Sequence, residues 1–325
     1  MPLPKVLDHL NLPVVAAPMF LISGPKLVTE CCKQGVVGTF PALNQRTTKG
    51  FEEWLIEIKD TLKAHEEETG TPAAPYGVNL IVHRTNPRVM PDLEMVVKHQ
   101  VPIVITSLGA VSELVDAVHS YGGLVFHDVI KKRHAEKAAE AGVDGLILVS
   151  AGAGGHAGTL NPIPFVQEVR SFFDKTILLS GCLSNGRDIA TALQMGADLA
   201  YMGTRFINTT ESMADRAYQQ MIVESGTKDI VYTAAVSGVH ANFMRDSLEA
   251  AGIPEERWQQ SKKIDFGEEL DAAQAEARAW KTIWSAGQGV TAVDDVLPVV
   301  DLVGRMKAEF KGAIEEQQAN LQKYL

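Results

Sequence analysis

Cysteine is scarce in this 325-residue chain, which contains only Cys31, Cys32 and Cys182. None of them forms a Cys-x-x-Cys pair or a zinc-like set with nearby histidines. We therefore expect no structural metal and no disulfide. The adjacent Cys31 and Cys32 are predicted to lie on a helix as small apolar residues, because reduced cysteines away from a charged environment are usually inert.

Excess positive charge and long apolar runs are also lacking. Lys and Arg number 30 against 40 Asp and Glu, a formal net charge of −10, which argues against nucleic acid or an anionic membrane as a partner. No apolar run is long enough to cross a bilayer, and Asp8 and His9 stand where a secretory signal would need an apolar core. We expect a cytoplasmic protein.

Two nucleotide-binding signatures are absent as well. No Gly-x-Gly-x-x-Gly follows the first predicted strand, and there is no Walker lysine motif, which argues against a Rossmann dinucleotide site and a P-loop. The chain is 46% hydrophobic and 22% charged, the composition of an ordinary folded protein with room for one large barrel or two medium domains.

Eight short β-branched segments alternate with helical patterns. The predicted strands are Val14 to Ala17, Val36 to Thr39, Tyr76 to Leu80, Ile103 to Thr106, Leu124 to Phe126, Gly145 to Val149, Thr176 to Leu179 and Leu199 to Met202. The predicted helices are Pro25 to Lys33, Gly50 to Glu68, Pro91 to His99, Val111 to Ser120, Lys131 to Ala141, Pro162 to Phe173 and Gly186 to Met195. This alternation predicts an α/β fold, a closed (β/α)8 TIM barrel, with an open doubly wound sheet as the alternative.

Residues suited to chemistry follow these strands. In a TIM barrel the active site lies at the C-terminal ends of the strands. The residues found there are Pro18, Met19, Asn79, Ser107, His127, Asp128 and the run Ser150 to Gly158 around His156. Glycine lets a backbone approach a ligand closely, and histidine transfers protons near neutral pH, so the His156 loop predicts an enzyme.

The loops after the seventh and eighth predicted strands resemble an anion site. They contain Gly181, Cys182 and Ser184, then Gly203 and Thr204, so backbone N–H groups at a helix N-terminus, with hydroxyl donors, are expected to bind a phosphate. Ordinary tight turns are the alternative. FMN, pyridoxal phosphate or a phosphorylated substrate would fit, but no strand end carries the lysine that pyridoxal phosphate needs.

Five motifs in order resemble the nitronate monooxygenases, formerly called 2-nitropropane dioxygenases. They are VVAAPMFLISGP from Val14, PYGVNLIV from Pro75, AGAGGHAG from Ala151, LSGCLSNGRDIATALQMGADLAYMGTRF from Leu179 and WSAGQGV from Trp284. The same superfamily includes flavin-dependent enoyl-acyl-carrier-protein reductases and NADH:quinone reductases. The resemblance implies that FMN lies across the top of the barrel.

The resemblance also implies roles for single residues. The catalytic residue would be His156, beside the flavin and facing the substrate. The cofactor-binding residues would be Pro18, Met19, Asn79, Gly155, Gly181, Cys182, Gly203, Thr204, Ser285 and Gln288. Ser107 and His127 are candidate substrate-binding residues, because both come at strand ends. For His127 the equal alternative is that its ring fills the top layer of the barrel.

The implied reaction is oxidation of alkyl nitronates, such as propionate 3-nitronate, by O2 to a carbonyl compound and nitrite. As an imidazolium, His156 would pair with the nitronate, and as a neutral imidazole it would remove the α-proton of a nitroalkane. The physiological role would be detoxification. An NAD(P)H-dependent FMN reductase of quinones or enoyl thioesters is the alternative, and a non-catalytic flavin-binding protein is a third hypothesis.

The remaining residues predict a division into three parts. Residues 1–225 would form the FMN-binding barrel with a helix from Thr210 to Ser225, 226–289 a mostly helical cap over the flavin, and 290–325 a C-terminal helix packing back on the barrel. Within these, Thr233 to Gly252 is interpreted as a loop with a helix, Trp258 and Phe266 as apolar anchors, and Asp294 to Phe310 as an amphipathic helix followed by a fraying tail. The equal alternative is that the extra helices form the interface of a homodimer.

Overall fold

A parallel β-barrel forms the body of the chain. The computed structural model describes residues 3–83, 85–109, 112–236, 238–259 and 283–324. The first nine strands are β1 Val14–Ala16, β2 Val37–Pro41, β3 Tyr76–Ile81, β4 Ile103–Ser107, β5 Leu124–Val129, β6 Gly145–Val149, β7 Gly155–His156, β8 Thr176–Ser180 and β9 Leu199–Met202. All except β7 close into one barrel in the order β1-β2-β3-β4-β5-β6-β8-β9. The predicted TIM barrel is confirmed, and the open sheet is excluded.

Helices connect the barrel strands on the outside. They are α1 Pro25–Lys33, α2 Thr48–Thr69, α3 Val89–His99, α4 Ser112–His119, α5 Lys132–Glu140, α6 Pro162–Arg170, α7 Gly186–Gln194, α8 Thr204–Ile207 and α9 Arg216–Glu224. The seven predicted connecting helices agree with α1 to α7 to within a few residues, although Val111 lies outside the described residues. Cys31 and Cys32 are both buried on α1, as predicted.

Side chains alternate between the barrel interior and the helical layer, because successive residues of a strand face opposite sides. The interior cluster consists of Leu7, Val15, Val37, Ile103, Ile105, Phe126, Ile147, Val149, Ala153, Ala157, Leu178 and Leu199. Residues of the opposite parity, such as Val125 and Val129 on β5, pack with the helices instead. This alternation decides which residues at the strand ends face the mouth of the barrel.

A β-hairpin follows the barrel where the sequence predicted no strand. β10 Ile230–Thr233 pairs antiparallel with β11 Ala241–Met244, and β11 also pairs with β7. The interpretation of Thr233 to Gly252 as a loop with a helix is therefore wrong for β11 and correct for α10 Arg245–Ala250. A four-residue strand and a two-residue partner are too short to give a period-two pattern.

The C-terminal helix is longer than predicted. α11 Val299–Leu321 continues through residues that were expected to fray. Its apolar face joins the main core through Val299, Leu302, Val303 and Met306. The polar part is held by an ion pair between Arg187 on α7 and Glu316, a tertiary contact that local sequence could not reveal.

Two further features belong to the region after the barrel. The guanidinium of Arg205 is buried and donates to the Asp295 carboxylate at 2.7 Å, which links α8 to the segment before α11. Trp258 is buried in a small apolar cluster, as predicted, whereas Phe266 lies outside the described residues. No described helix has the length and apolar character that a membrane crossing needs.

Candidate active site

A cavity of about 620 Å3 opens at the C-terminal ends of the barrel strands. This volume is within the range of cofactor and small-molecule sites. The predicted site residues that line it are Pro18, Met19, Asn79, Ser107, Gly155, His156, Gly181, Cys182, Gly203, Thr204 and Ser285. Residues from distant parts of the sequence therefore meet in one chamber.

The structure does not bring His127 to this chamber. Its ring is buried, and Nδ1 lies 2.7 Å from the Thr106 hydroxyl on the neighbouring strand. Phe126 faces the barrel interior, so His127 must face the helices and Asp128 must face inward again. Neither proposed role for His127, substrate contact or filling the top layer, fits this position. Asp128 lines the cavity in its place.

Gln288 supports the chamber from outside it. Its side chain is absent from the lining, and its Oε1 lies 3.9 Å from the Cys182 sulfur. Its backbone N–H donates to the Gly152 carbonyl at 2.8 Å. The predicted direct contact with a cofactor stays a prediction, and in the structure the residue joins the His156 loop to the loop after β8.

Glycine makes this three-way contact possible. Gly152 has φ of +79°, and a Cβ there would lie 2.5 Å from the Cys182 sulfur and 2.8 Å from Gln288 Oε1. Such distances are far inside van der Waals contact, so a side chain at Gly152 would push the segments apart. The glycine-rich sequence around His156 thus reflects close packing of backbones at the mouth of the barrel.

The hairpin after the barrel holds the His156 loop in place. β7 contributes His156 opposite Ala241 and Gly155 opposite Asn242. The Asn242 side chain also donates to the Ala153 carbonyl at 2.6 Å, and the Tyr232 hydroxyl donates to the Ala157 carbonyl at 3.1 Å. A loop that sequence alone would leave flexible is therefore fixed as the edge of a three-stranded sheet.

Burial sets the charge of His156. Desolvation lowers the pKa of His156 to about 4 from its ordinary value of 6.5, because an apolar surrounding penalises the imidazolium form. The ring is accordingly neutral at pH 7. Of the two predicted roles, the neutral imidazole is favoured over the imidazolium that would pair with an anion.

The loops after β8 and β9 offer backbone donors. Gly181 has φ of +123°, and Cys182, with φ of +59°, shares the left-handed region. Within the described part of the chain, the backbone N–H groups of these two residues form no hydrogen bond. The Thr204 hydroxyl accepts from the Gly287 N–H at 2.9 Å and keeps its own proton free to donate. These groups can bind an anion.

The N-terminus of α7 is not part of that anion site. The Asp188 carboxylate accepts from the Ser184 and Asn185 N–H groups at 2.8 and 3.2 Å, and the Glu309 carboxylate accepts from the Gly186 N–H at 2.8 Å. These three N–H groups are thus already paired with negative groups. The prediction that this helix end and the Ser184 hydroxyl bind phosphate is wrong, since that hydroxyl donates to the Gly289 carbonyl.

A chain of polar side chains crosses the other side of the cavity. Asn79 donates to the Ser107 hydroxyl at 2.8 Å, and Ser107 donates to the Asp128 carboxylate at 2.5 Å. Burial raises the pKa of Asp128 to about 6, and the hydrogen bonds from Ser107 and the Leu108 backbone oppose that rise. Asp128 lines the cavity although no direct role was predicted for it, and the period-two pattern counted from Phe126 indicates its inward position.

Aromatic rings and a buried hydroxyl form the side of the cavity contributed by the region after the barrel. Tyr218 and Trp284 stack with centroids 5.0 Å apart and planes 6° from parallel, and the Tyr218 hydroxyl donates to the Ser285 carbonyl. The Ser285 Oγ is buried with no hydrogen-bond partner among the described residues. A buried hydroxyl without a partner is costly, which indicates that a ligand completes its bonding.

Strained backbone is concentrated around the same chamber. Among the described residues, four that are not glycine have positive φ, and Leu21, Leu108 and Cys182 of these line the cavity. Such conformations cost about 1–3 kcal/mol each and tend to persist at functional sites. The cavity therefore has the concentration of backbone strain that is typical of functional sites.

A family model for nitronate monooxygenase matches residues 67–309. The chain belongs to the nitronate monooxygenase family. The matched range includes the polar chain, the His156 loop, both donor loops and the Trp284 to Ser285 segment. Family membership makes this protein an oxidoreductase enzyme and implies a flavin cofactor.

Individual relatives agree with this assignment. The chain is 25% identical to a nitronate monooxygenase of Paraburkholderia phytofirmans over 94% of its own length and 93% of that protein. It is also 25% identical to a Neurospora crassa nitronate monooxygenase, over 94% of this chain and 91% of that protein. A Rhodococcus jostii protein named (3aS,4S,5R,7aS)-5-hydroxy-7a-methyl-1-oxo-octahydro-1H-indene-4-carboxyl-CoA dehydrogenase is 25% identical over 73% of this chain and 63% of that one.

Solved structures share the fold. A nitroalkane oxidase from Streptomyces ansochromogenes superposes with a TM-score of 0.79 at 22% identity, covering 97% of this chain and all of that one. FabK from Thermotoga maritima superposes with a TM-score of 0.78 at 22% identity, covering 97% of each chain. At these identities the likeness concerns architecture.

Proposed function

We propose that the protein is an FMN-dependent monooxygenase that oxidises alkyl nitronates with O2 to a carbonyl compound and nitrite. The observation that carries the proposal is the meeting of His156, the donor loops after β8 and β9 and the unpartnered Ser285 hydroxyl in one cavity of this family's barrel. The donor loops and the Ser285 hydroxyl can bind a flavin with its phosphate, and His156 supplies a neutral imidazole for an anionic substrate.

The chain offers suitable groups to each part of FMN. The backbone N–H groups of Gly181 and Cys182, with the Thr204 hydroxyl, would hold the phosphate. The backbone around Pro18 and Met19, the Asn79 amide and the Ser285 hydroxyl would face the ring system. When bound, the flavin supplies the one-electron chemistry with oxygen that no side chain can perform.

His156 would act on the substrate. As a neutral imidazole it can donate one N–H to an oxygen of the nitronate, and its other nitrogen can accept the α-proton of a neutral nitroalkane. A base with a pKa of about 4 is weak, so the nitronate, which has already lost that proton, is the better substrate.

We further infer that, of the described residues, those within 226–289 cover the flavin, those within 1–225 form its barrel and those within 290–325 pack back on the barrel. Residues 260–282 of the predicted cap lie outside the described part of the chain. Ile283, Trp284 and Ser285 line the cavity although they come long after the last barrel strand. Burial of the flavin would keep oxygen-derived species away from bulk water.

The first test is anaerobic mixing of the FMN-loaded protein with propionate 3-nitronate, NADH or NADPH. Bleaching of the flavin by the nitronate alone, followed by nitrite release once air is admitted, is expected. Rapid bleaching by NADH or NADPH with no response to nitronate would overturn the proposal and favour a reductase of quinones or enoyl thioesters. Absence of flavin from protein purified with added FMN would contradict both.

A further inference from the structure

Asp128 is an ionisable group of the cavity to which the proposed reaction gives no role. It occupies the last inward position of β5. One neighbouring strand, β4, carries Ser107, and the other, β6, leads into the His156 loop. Its Oδ2 is fixed by the Ser107 hydroxyl at 2.5 Å. The carboxyl group is therefore held at a defined place between Ser107 and the strand that leads into the His156 loop.

The charges around this carboxyl do not neutralise it. No lysine or arginine occurs among the described residues that line the cavity. Lys131 and Lys132, which follow β5, are exposed on the outside. No titratable residue lies on the facing strand β6. Desolvation lowers the pKa of His156 and raises the pKa of Tyr201. Both rings are therefore neutral at pH 7.

A bound anion would meet an ionised carboxylate in this setting. A nitronate carries its charge over two oxygens and a carbon, and like charges in a poorly solvated cavity repel strongly. A protonated carboxyl group, in contrast, has one O–H to donate, and an oxygen of the anion is a strong acceptor. The state of one proton thus decides between attraction and repulsion.

We propose that Asp128 contacts the substrate: when protonated it donates a hydrogen bond to an oxygen of the nitronate, and when ionised it weakens binding of that anion. The inference rests on the proposed function, because it takes the nitronate as the anion. It makes Asp128 a substrate-binding residue that limits the enzyme's affinity above mildly acidic pH.

The direction of the pH dependence follows from the raised pKa of Asp128, about 6. Below pH 6 most molecules carry the proton, and above it the binding-competent fraction falls with each pH unit. Neither His156 nor Tyr201 changes its charge between pH 6 and pH 8, so neither can produce this change in affinity. Asp215, the other carboxylate among the described residues that line the cavity, is exposed, so solvent screens its charge.

The test measures binding of nitrate, a planar anion with the oxygen geometry of a nitronate, to the FMN-loaded protein. Perturbation of the flavin spectrum reports Kd from pH 5 to pH 8 without any turnover. We expect Kd to rise roughly 10- to 100-fold over this range, because affinity scales with the competent fraction. A constant Kd, or no nitrate binding at either pH, would overturn the inference.

One variant of Asp128 and one control variant sharpen the test. In Asp128→Asn, nitrate Kd should agree within twofold at pH 5 and pH 8, because the amide keeps a donor and cannot ionise. Asp215→Asn removes a carboxylate at the rim, preserves the N-cap of α9 and should keep the wild-type dependence. Retention of the full pH dependence in Asp128→Asn would contradict the inference.

Ser107→Ala serves if Asp128→Asn does not retain flavin. Loss of a hydrogen bond to the ionised carboxylate raises its pKa, so the rise in Kd should move to higher pH, and an unmoved midpoint would contradict the inference. Failure of nitrite release alongside an intact nitrate dependence would remove the proposed function while leaving Asp128 as an anion-binding group.

Discussion

The two sides of the cavity are built differently. On the side of β6, β8 and β9, glycine-rich loops lie backbone against backbone, and a Cβ at Gly181 would come within 2.4 Å of the Ser150 hydroxyl. On the side of β3, β4 and β5, the side chains of Asn79, Ser107 and Asp128 form one hydrogen-bonded chain. The first side can recognise a ligand mainly through N–H groups, and the second through side-chain chemistry.

The difference shows which changes each side tolerates. Backbone recognition depends on shape, so an atom added at a tightly packed glycine such as Gly152 or Gly287 disturbs a neighbouring segment. Side-chain recognition depends on the donor, the acceptor and the charge, so isosteric replacements on the polar side change chemistry and leave packing intact. The predictions below test this contrast, beginning with the largest effect.

Replacing the histidine that the glycine side presents should abolish most turnover. His156→Asn removes the imidazole and leaves a shorter amide, which cannot accept a proton and cannot place its N–H where the ring places it, so kcat should fall by about 100- to 10,000-fold. Flavin content should be unchanged, as measured by the visible spectrum. His9→Asn, at an exposed position, is the matched control, and normal nitrite release by His156→Asn would contradict the assignment.

Adding one methyl group on the glycine side should remove the flavin. Gly181→Ala places a Cβ within 2.4 Å of Ser150 Oγ at φ of +123°, and strain of this kind should weaken FMN affinity by about 100-fold. Fluorescence titration of apoprotein with FMN measures it. Gly122 also has a positive φ, +85°, but no atom of the described residues lies within 4 Å of an added Cβ, so the FMN affinity of Gly122→Ala should equal that of wild type.

Loosening the hairpin should misplace His156 without removing it. In Asn242→Ala the Ala153 carbonyl loses a donor at 2.6 Å, and kcat should fall about tenfold while KM changes little. Asn242→Asp, which cannot donate when ionised, should not restore kcat. Asn11→Ala breaks a similar bond to the Gln34 carbonyl far from the cavity and should leave kcat unchanged, so equal losses in both variants would refute a positioning role.

The smallest effect on catalysis is expected at His127. Because its ring faces the helices, His127→Asn should change KM for nitronates by less than about twofold, unlike Asp128→Asn. Burial lowers the pKa of His127 to about 4, so the unfolded chain binds an extra proton between pH 6.5 and 4 and stability is lost as pH falls. Chemical unfolding should show that the free energy of unfolding falls by about 2 kcal/mol less from pH 7 to pH 5 in His127→Asn than in the wild type.

Much of this molecule could be predicted from local patterns. The predicted bounds of α1, Pro25 to Lys33, are correct, and Gly35, Gly122, Gly142 and Gly196 have the positive φ that glycine readily adopts after a helix end. These features depend on neighbouring residues, because a helix end is decided within one turn. The placement of most candidate site residues around one cavity likewise followed from the strand ends.

The failures involve contacts between distant segments. The β7–β11 pairing joins His156 to a strand more than eighty residues later, and Glu309 from the distant α11 accepts the Gly186 N–H at the start of α7. Neither partner is visible in a local window. His127 differs, because its position is locally determined: the period-two pattern counted from Phe126 places its ring on the helical side of β5.

By itself the sequence determined the alternation of strands and helices, the glycines where backbones must approach, and the residue types at the strand ends. These properties are local, set by backbone sterics and by the period of apolar side chains. The tertiary structure alone decided that the ring of His156 is neutral, that Asp128 holds its proton more tightly than usual, and that the α7 terminus is closed to anions. Charge and bonding capacity depend on burial and on partners, which exist only after distant segments have packed together.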